Sequence, residues 1–154
     1  MSDRPMTDRE EAAARRNLLT QDVVERTGIT EAMIGELVTR FYDNAREDAL
    51  LAPIFAKIQD WDEHLAKLKD FWSSVILMSG RYHGQPMQAH MPFALIGDHF
   101  DRWLDLFEKT AQEVCPPAAA AYFIDRARRI ADSFETASAT RAGHVHSPRH
   151  TNRS

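Results

Sequence analysis

Four histidines in the body of the chain, His64, His83, His90 and His99, are the side chains best suited to hold a metal. A neutral imidazole is the commonest metal ligand and the axial ligand of many haems. His90 follows Pro86 and Met87 and precedes Met91 and Phe93. An imidazole among apolar residues, on a segment fixed by Pro and Gly, suits a metal or haem ligand; a surface histidine is the plain alternative. His64 shares a helical stripe with Leu68, Phe71 and Val75, at steps of four, three and four, so it points the way the apolar face points. A hydrogen-bonded core histidine gives the same pattern. His83, between Tyr82 and Gly84, reads as exposed, and His99, in the first turn of a helix, reads as structural. Three further histidines, His144, His146 and His150, read as part of a solvated tail that could at most catch a stray metal.

Tyr42 and Trp103 each bring a polar tip to an apolar helical face. A Trp can only donate a hydrogen bond, whereas a Tyr can donate and accept. As ordinary core residues they would satisfy these tips locally. Aimed into one pocket, they would suit a ligand that gains negative charge, such as dioxygen at a ferrous centre. Other chemistries lack their motifs. The paired Glu-x-x-His of a di-iron bundle, HExxH, a Gly-rich phosphate loop and a nucleophile elbow are all absent. Cys115 stands alone before Pro116, which excludes an internal disulfide and reads as an inert thiol.

The elements that must position these residues are helical. Thr7 with Glu10 reads as a capping box that opens a polar helix through about Leu19, with a second short stretch to Arg26 and a break at Gly28. Thr30 caps a helix carrying Ile34, Leu37, Val38, Phe41, Tyr42 and Ala45 at helical spacing. Asp48 to Phe55 reads as a connector, because Pro53 cannot sit deep in a helix. A long helix follows from Trp61 to Met78. Residues 79–97 hold three Gly and two Pro and read as a long irregular connection with room for one short helix at 87–90. Asp98 caps a helix to about Glu113, and Pro116 and Pro117 start a last helix to about Ala137. No run alternates like a strand, so the class is all-α: residues 1–29 as an N-terminal extension, 30–137 as one domain, and 138–154 as a disordered tail.

Composition bounds the function. With 154 residues there is room for one domain with a sizeable core. The chain is 44% hydrophobic and 27% charged, ordinary for a globular protein. Nineteen basic against 23 acidic residues give a net charge of −4, which argues against nucleic acid or an anionic membrane as partner. No apolar run reaches the roughly 20 residues that span a bilayer, and the polar N-terminus lacks the core of a signal peptide. A reducing cytoplasm is the expected setting.

The runs FYDNARED and LLAPIF, then WDEHLAKLKDFWSSVILMSGRYHGQPMQAH, then HFDRWLDLFEKT, resemble the truncated haemoglobins, and within them the third group. The resemblance spans residues 30–137. GRYHGQPMQAH and HFDRWLDLF are its specific signals; the FY and FW pairs alone are weak. It implies a shortened globin, a two-over-two helical sandwich around haem b (iron protoporphyrin IX), with residues 30–46 and 61–78 set against 98–114 and 117–137.

The resemblance also implies roles. His90 matches the proximal histidine that ligates iron. Tyr42 and Trp103 match the distal residues that hydrogen-bond the gas, and His64 the distal-helix position that gates its entry. Lys67, Arg81 and Tyr82 match places where haem propionates are held, and Phe71, Trp72, Phe93 and Phe107 would be apolar haem walls. The chain departs from the family after His90, where Met91-Pro92-Phe93-Ala94 replaces a Leu-Pro pair. The implied function is uptake of dioxygen, nitric oxide or a similar diatomic gas. With it the resemblance implies redox turnover of the nitric-oxide-dioxygenase or peroxidase kind, fed by an unidentified electron donor. The alternative from another class is a haem-free helical sensor or interaction module on a globin shell.

Overall fold

A computed structural model describes residues 4–84 and 97–141, with side chains to residue 136. His90, Phe93, the proposed short helix at 87–90 and the tail histidines therefore lie outside the described residues. The described chain is helical: α1 Asp8–Thr27, α2 Glu31–Glu47, α3 Ala52–Phe55, α4 Trp61–Leu77, α5 Gly97–Val114 and α6 Pro117–Arg141. Among the described residues there is no strand. None of these helices is long and apolar enough to cross a membrane.

α1 is one helix of 20 residues, where the sequence reading divides it in two. No Gly or Pro interrupts Asp8–Thr27, and propensity alone does not break a helix that has a surface to lean on. Thr7 caps it by accepting the Glu10 N–H at 3.1 Å. The reciprocal half of the capping box is missing, because the Glu10 carboxylate pairs with Arg4 instead. Gly28 ends the helix at φ 72°, a left-handed position that favours glycine. The helix is docked on α4 and α6. Val23 is buried, and the Thr20 hydroxyl donates to the Leu77 carbonyl at 2.8 Å.

α2 behaves as its periodicity predicts. Thr30 accepts from Met33 N–H, and Ile34, Leu37, Val38, Phe41, Tyr42 and Ala45 are all buried. It packs on α4 and α5, while α5 and α6 form the most extensive pair and α4 reaches α6. This is the expected arrangement of 30–46 and 61–78 against 98–114 and 117–137. Pro53 sits in the first turn of the one-turn α3, where its missing N–H costs nothing.

The apolar face of α4 differs from the reading. Its buried residues are Trp72, Ser73 and Ile76. The stripe of His64, Leu68, Phe71 and Val75 is only partly buried. An apolar stripe can face a cavity as well as a core, and spacing does not separate the two. α5 starts at Gly97, so Asp98 lies inside its first turn rather than before it. α6 continues to Arg141, four residues past the expected end.

One polar staple closes the fold between elements far apart in sequence. Asp48, just past α2, accepts from Leu50 N–H and Leu51 N–H at 3.1 Å and from Arg102 of α5 at 2.6 Å. Burial alone would raise the pKa of Asp48. The hydrogen bond and charge of Arg102, with the two backbone N–H groups, outweigh burial and hold it below the ordinary aspartate value.

Candidate functional site

Five helices leave a cavity of about 280 Å³ between them. α2 contributes Tyr42, α4 contributes His64, Lys67, Leu68, Phe71 and Trp72, and α5 contributes His99, Phe100 and Trp103. Ile130, Ala131 and Phe134 of α6 close the far side, and Ile54 and Phe55 of α3 close one end. The lining is aromatic and aliphatic with a few polar tips, the make-up of a small-molecule slot.

Tyr42 reaches the cavity because it follows Phe41 on the buried face of α2; its side chain is 5% exposed. Phe41 meets Tyr42 edge-on at 4.6 Å, Trp103 at 5.6 Å and Phe107 at 5.2 Å between ring centres, so one phenyl ring fixes three neighbours. Phe55 and Trp61 stand edge-on to Tyr42 at 5.7 and 6.4 Å. Trp61 in turn lies 5.4 Å from the His64 ring, and Arg46 caps its outer face at 4.1 Å. Burial pushes the Tyr42 phenol up to about 12, with the indole N–H groups of Trp103 and Trp72 pulling the other way through hydrogen bonds to it. At neutral pH Tyr42 is a protonated phenol with an O–H to give.

The residues singled out in the sequence are brought together unevenly. Tyr42, His64, Trp103, Lys67, Phe71, Trp72 and Tyr82 share the cavity wall. Lys67 sits at its rim, paired with Glu63 at 3.3 Å and largely exposed. Tyr82 stands at the same mouth, edge-on to Phe71 at 5.4 Å, with its backbone N–H donating to Ser74 Oγ at 2.9 Å. Gly84 leaves room for the Tyr82 hydroxyl, which a Cβ there would strike.

Arg81 does not line the cavity; it forms an ion pair with Glu31. Glu31 also accepts from the buried Ser73 hydroxyl at 2.7 Å, and Ser73 Oγ lies 2.7 Å from Ser79 Oγ. Arg81 thus belongs to the network that ties the end of α4 to the start of α2. Phe107 is fully buried and stands behind the wall rather than in it.

Three contributions escaped the sequence reading. Trp72, read as an apolar wall, also acts on the Tyr42 phenol as a donor that partly offsets its burial; every Trp carries such a donor. His99 lines the cavity that His64 lines. Trp61 and Phe55 brace Tyr42 from the side. Cys115 is buried away from the cavity. Burial, then the charge of Glu36, raises its thiol to about 11, so it is inert at neutral pH. Among the described residues, no group of three or more His, Cys, Asp or Glu gathers to hold a metal.

The sequence description of the bacterial-like globin family matches residues 22–134. A group 3 truncated hemoglobin of Campylobacter jejuni is 33% identical over 124 residues, covering 75% of this chain and 96% of the relative. The crystal structure of a group III truncated hemoglobin from Campylobacter jejuni superposes with a TM-score of 0.65 at 33% identity, covering 70% of this chain and 90% of the other.

Proposed function

The chain belongs to the bacterial-like globin family, with the truncated globin fold, and from this premise we propose that its cavity is a haem slot for diatomic gases. The residues present fit the group. Haem b is a flat apolar plate with an anionic edge; the slot offers Phe71, Phe100, Phe134 and Ile130 as apolar walls and Lys67 with Tyr82 at the rim. Imidazoles stand on its walls at His64 and His99. His90 is proposed as the axial ligand. Arg81 would join the rim only on leaving Glu31. Bound haem would supply an iron that takes up a diatomic gas and exchanges electrons with it.

The chain's own part is to orient and to donate. Tyr42 and Trp103 present an O–H and an N–H to the same side of the slot, and a guest that gains negative charge is held by such donors. His64, beside Trp61 at the open side, is placed to meet an incoming guest. Two donors favour slow release. This suits redox use of the gas, of the nitric-oxide-dioxygenase or peroxidase kind with an external electron donor, better than transport. The observation that supports the reading most is the convergence of Tyr42, Trp103 and His64, from three helices, on one apolar cavity.

The test is gas binding by the haem-loaded chain. Ferrous protein exposed to carbon monoxide, and separately to dioxygen, should give distinct and reversible spectra. His90→Ala should abolish stable iron ligation while His99→Ala should preserve it. A folded chain with no spectral response to either gas would contradict the proposal and favour a haem-free module.

A further inference from the structure

Trp61 stands at a corner where α2, α3 and α4 meet. Its ring centre lies 6.4 Å from that of Tyr42 on α2, 5.9 Å from that of Phe55 on α3 and 5.4 Å from that of His64 on its own helix. Tyr42, Phe55 and His64 all line the cavity, and Trp61 does not. A ring that meets three lining residues from outside closes the seam between them. On its outer side the guanidinium carbon of Arg46 stands 4.1 Å over the indole. From water inward the order is exposed Arg46, half-buried Trp61 and buried Tyr42.

The stack follows from helical spacing. Tyr42 and Arg46 are one turn apart on α2, and Trp61 and His64 one turn apart on α4, so each pair shares a face. The third side of the corner is less anchored. α3 is a single turn with no buried residue and no side-chain cap, and Asp48 pins the backbone at its start rather than at Phe55. Elements with so little buried surface open at low cost. The guanidinium is a light latch as well: a cation–π contact at an exposed site biases an equilibrium about 2- to 5-fold.

We propose that Trp61, latched by Arg46, is the door by which a small guest reaches Tyr42 from solvent. This rests on the haem reading above, which gives the mouth at Lys67 and Tyr82 to the haem edge and leaves a gas to enter elsewhere. Displacing the indole opens the seam between Tyr42, Phe55 and His64. His64 flanks that opening, and the moving part is Trp61.

The latch is tested first without haem. Acrylamide should quench a larger share of the tryptophan fluorescence in Arg46→Gln than in the wild type, and the gain should vanish in a Trp61→Phe background. Equal quenching of wild type and Arg46→Gln would overturn the inference.

In the loaded protein, flash photolysis and stopped-flow mixing read entry and release. Arg46→Gln should quicken the association of carbon monoxide and of dioxygen alike by about 2- to 5-fold, the loss of one exposed cation–π contact. Trp61→Ala should quicken both further. Arg46 is exposed, so its variant tests the door even where Trp61→Ala fails to fold. A door lowers one barrier that is crossed in both directions, so release should quicken by the same factor and both affinities should stay within about twofold. A loss of dioxygen affinity alone would mark a disturbed Tyr42 donor and overturn the inference, as would unchanged association rates. The gain should persist in a His64→Ala background; its loss there would assign the barrier to His64 and overturn the inference too. A chain that takes up no haem overturns the functional reading; one that loads normally and shows none of these gains overturns this inference alone.

Discussion

Phe107 lies nearly parallel to Trp72, with ring centres 5.0 Å apart, behind the cavity wall to which Trp72 belongs. Phe107 is wholly buried and stacks on Trp103 as well. One apolar residue thus supports two of the polar tips that face the slot, which places the energetics of the fold and the geometry of the site in the same side chain.

Phe107→Ala should therefore be costly on both counts. Emptying a fully buried aromatic site destabilises by about 3–5 kcal/mol. Chemical denaturation should show this loss, and near-ultraviolet circular dichroism of the remaining folded fraction should show weaker tryptophan signals. Phe107→Leu should retain more than half of the lost stability but not the tryptophan signals.

Tyr42→Phe and Trp103→Phe should each speed dioxygen release from the loaded protein. A hydrogen bond to a guest that carries partial charge contributes about 1.5–3 kcal/mol, equivalent to roughly 10- to 100-fold in rate. Flash photolysis or stopped-flow displacement measures it. Unchanged rates in both variants would remove the donors from the account.

The same phenol should titrate late. With its pKa raised to about 12, Tyr42 stays protonated in the fold after an unfolded tyrosine, near 10, has ionised. The raised value contributes stability that is present below pH 10 and lost as pH rises from about 10 toward 12. Absorbance at the phenolate band should show one of three tyrosines ionising last, and Tyr42→Phe should remove that phase and flatten the alkaline loss of stability.

Asp48 works in the opposite direction. Its folded pKa lies below the ordinary value, so its contribution is present above about pH 4 and is lost as pH falls through the folded value. Asp48→Ala should cost about 1–2 kcal/mol at neutral pH. Most of this comes from the Leu50 and Leu51 N–H groups, because Arg102 is 44% exposed and its ionic share is screened. Asp48→Asn should show a shallower decline of stability with acid than the wild type.

Much of this was legible in the sequence. The period of Ile34, Leu37, Val38, Phe41, Tyr42 and Ala45 gave α2 its face, and the caps at Thr7, Thr30 and Gly28 marked their helix ends. The class and the globin arrangement followed from such signals and from motif resemblance.

What was not legible depends on distance in the chain or on direction. Asp48 and Arg102 are 54 residues apart, and nothing local announces their bond. Arg81 looked like a rim cation because the position of Glu31 beside it is a tertiary fact. On α4, the cavity stripe of His64, Leu68 and Phe71 borders the core face of Ser73 and Ile76, with Trp72 on both, and a hydropathy pattern does not resolve that step. His99 looked structural because only packing brings it to the wall that His64 shares.

The most direct test of the account is a haemin titration of the isolated chain, followed by its absorption spectrum. The chain should saturate at one haem per chain, with an intense Soret band that sharpens on reduction and carbon monoxide addition. A folded chain that leaves added haemin with the spectrum of the free pigment would contradict it.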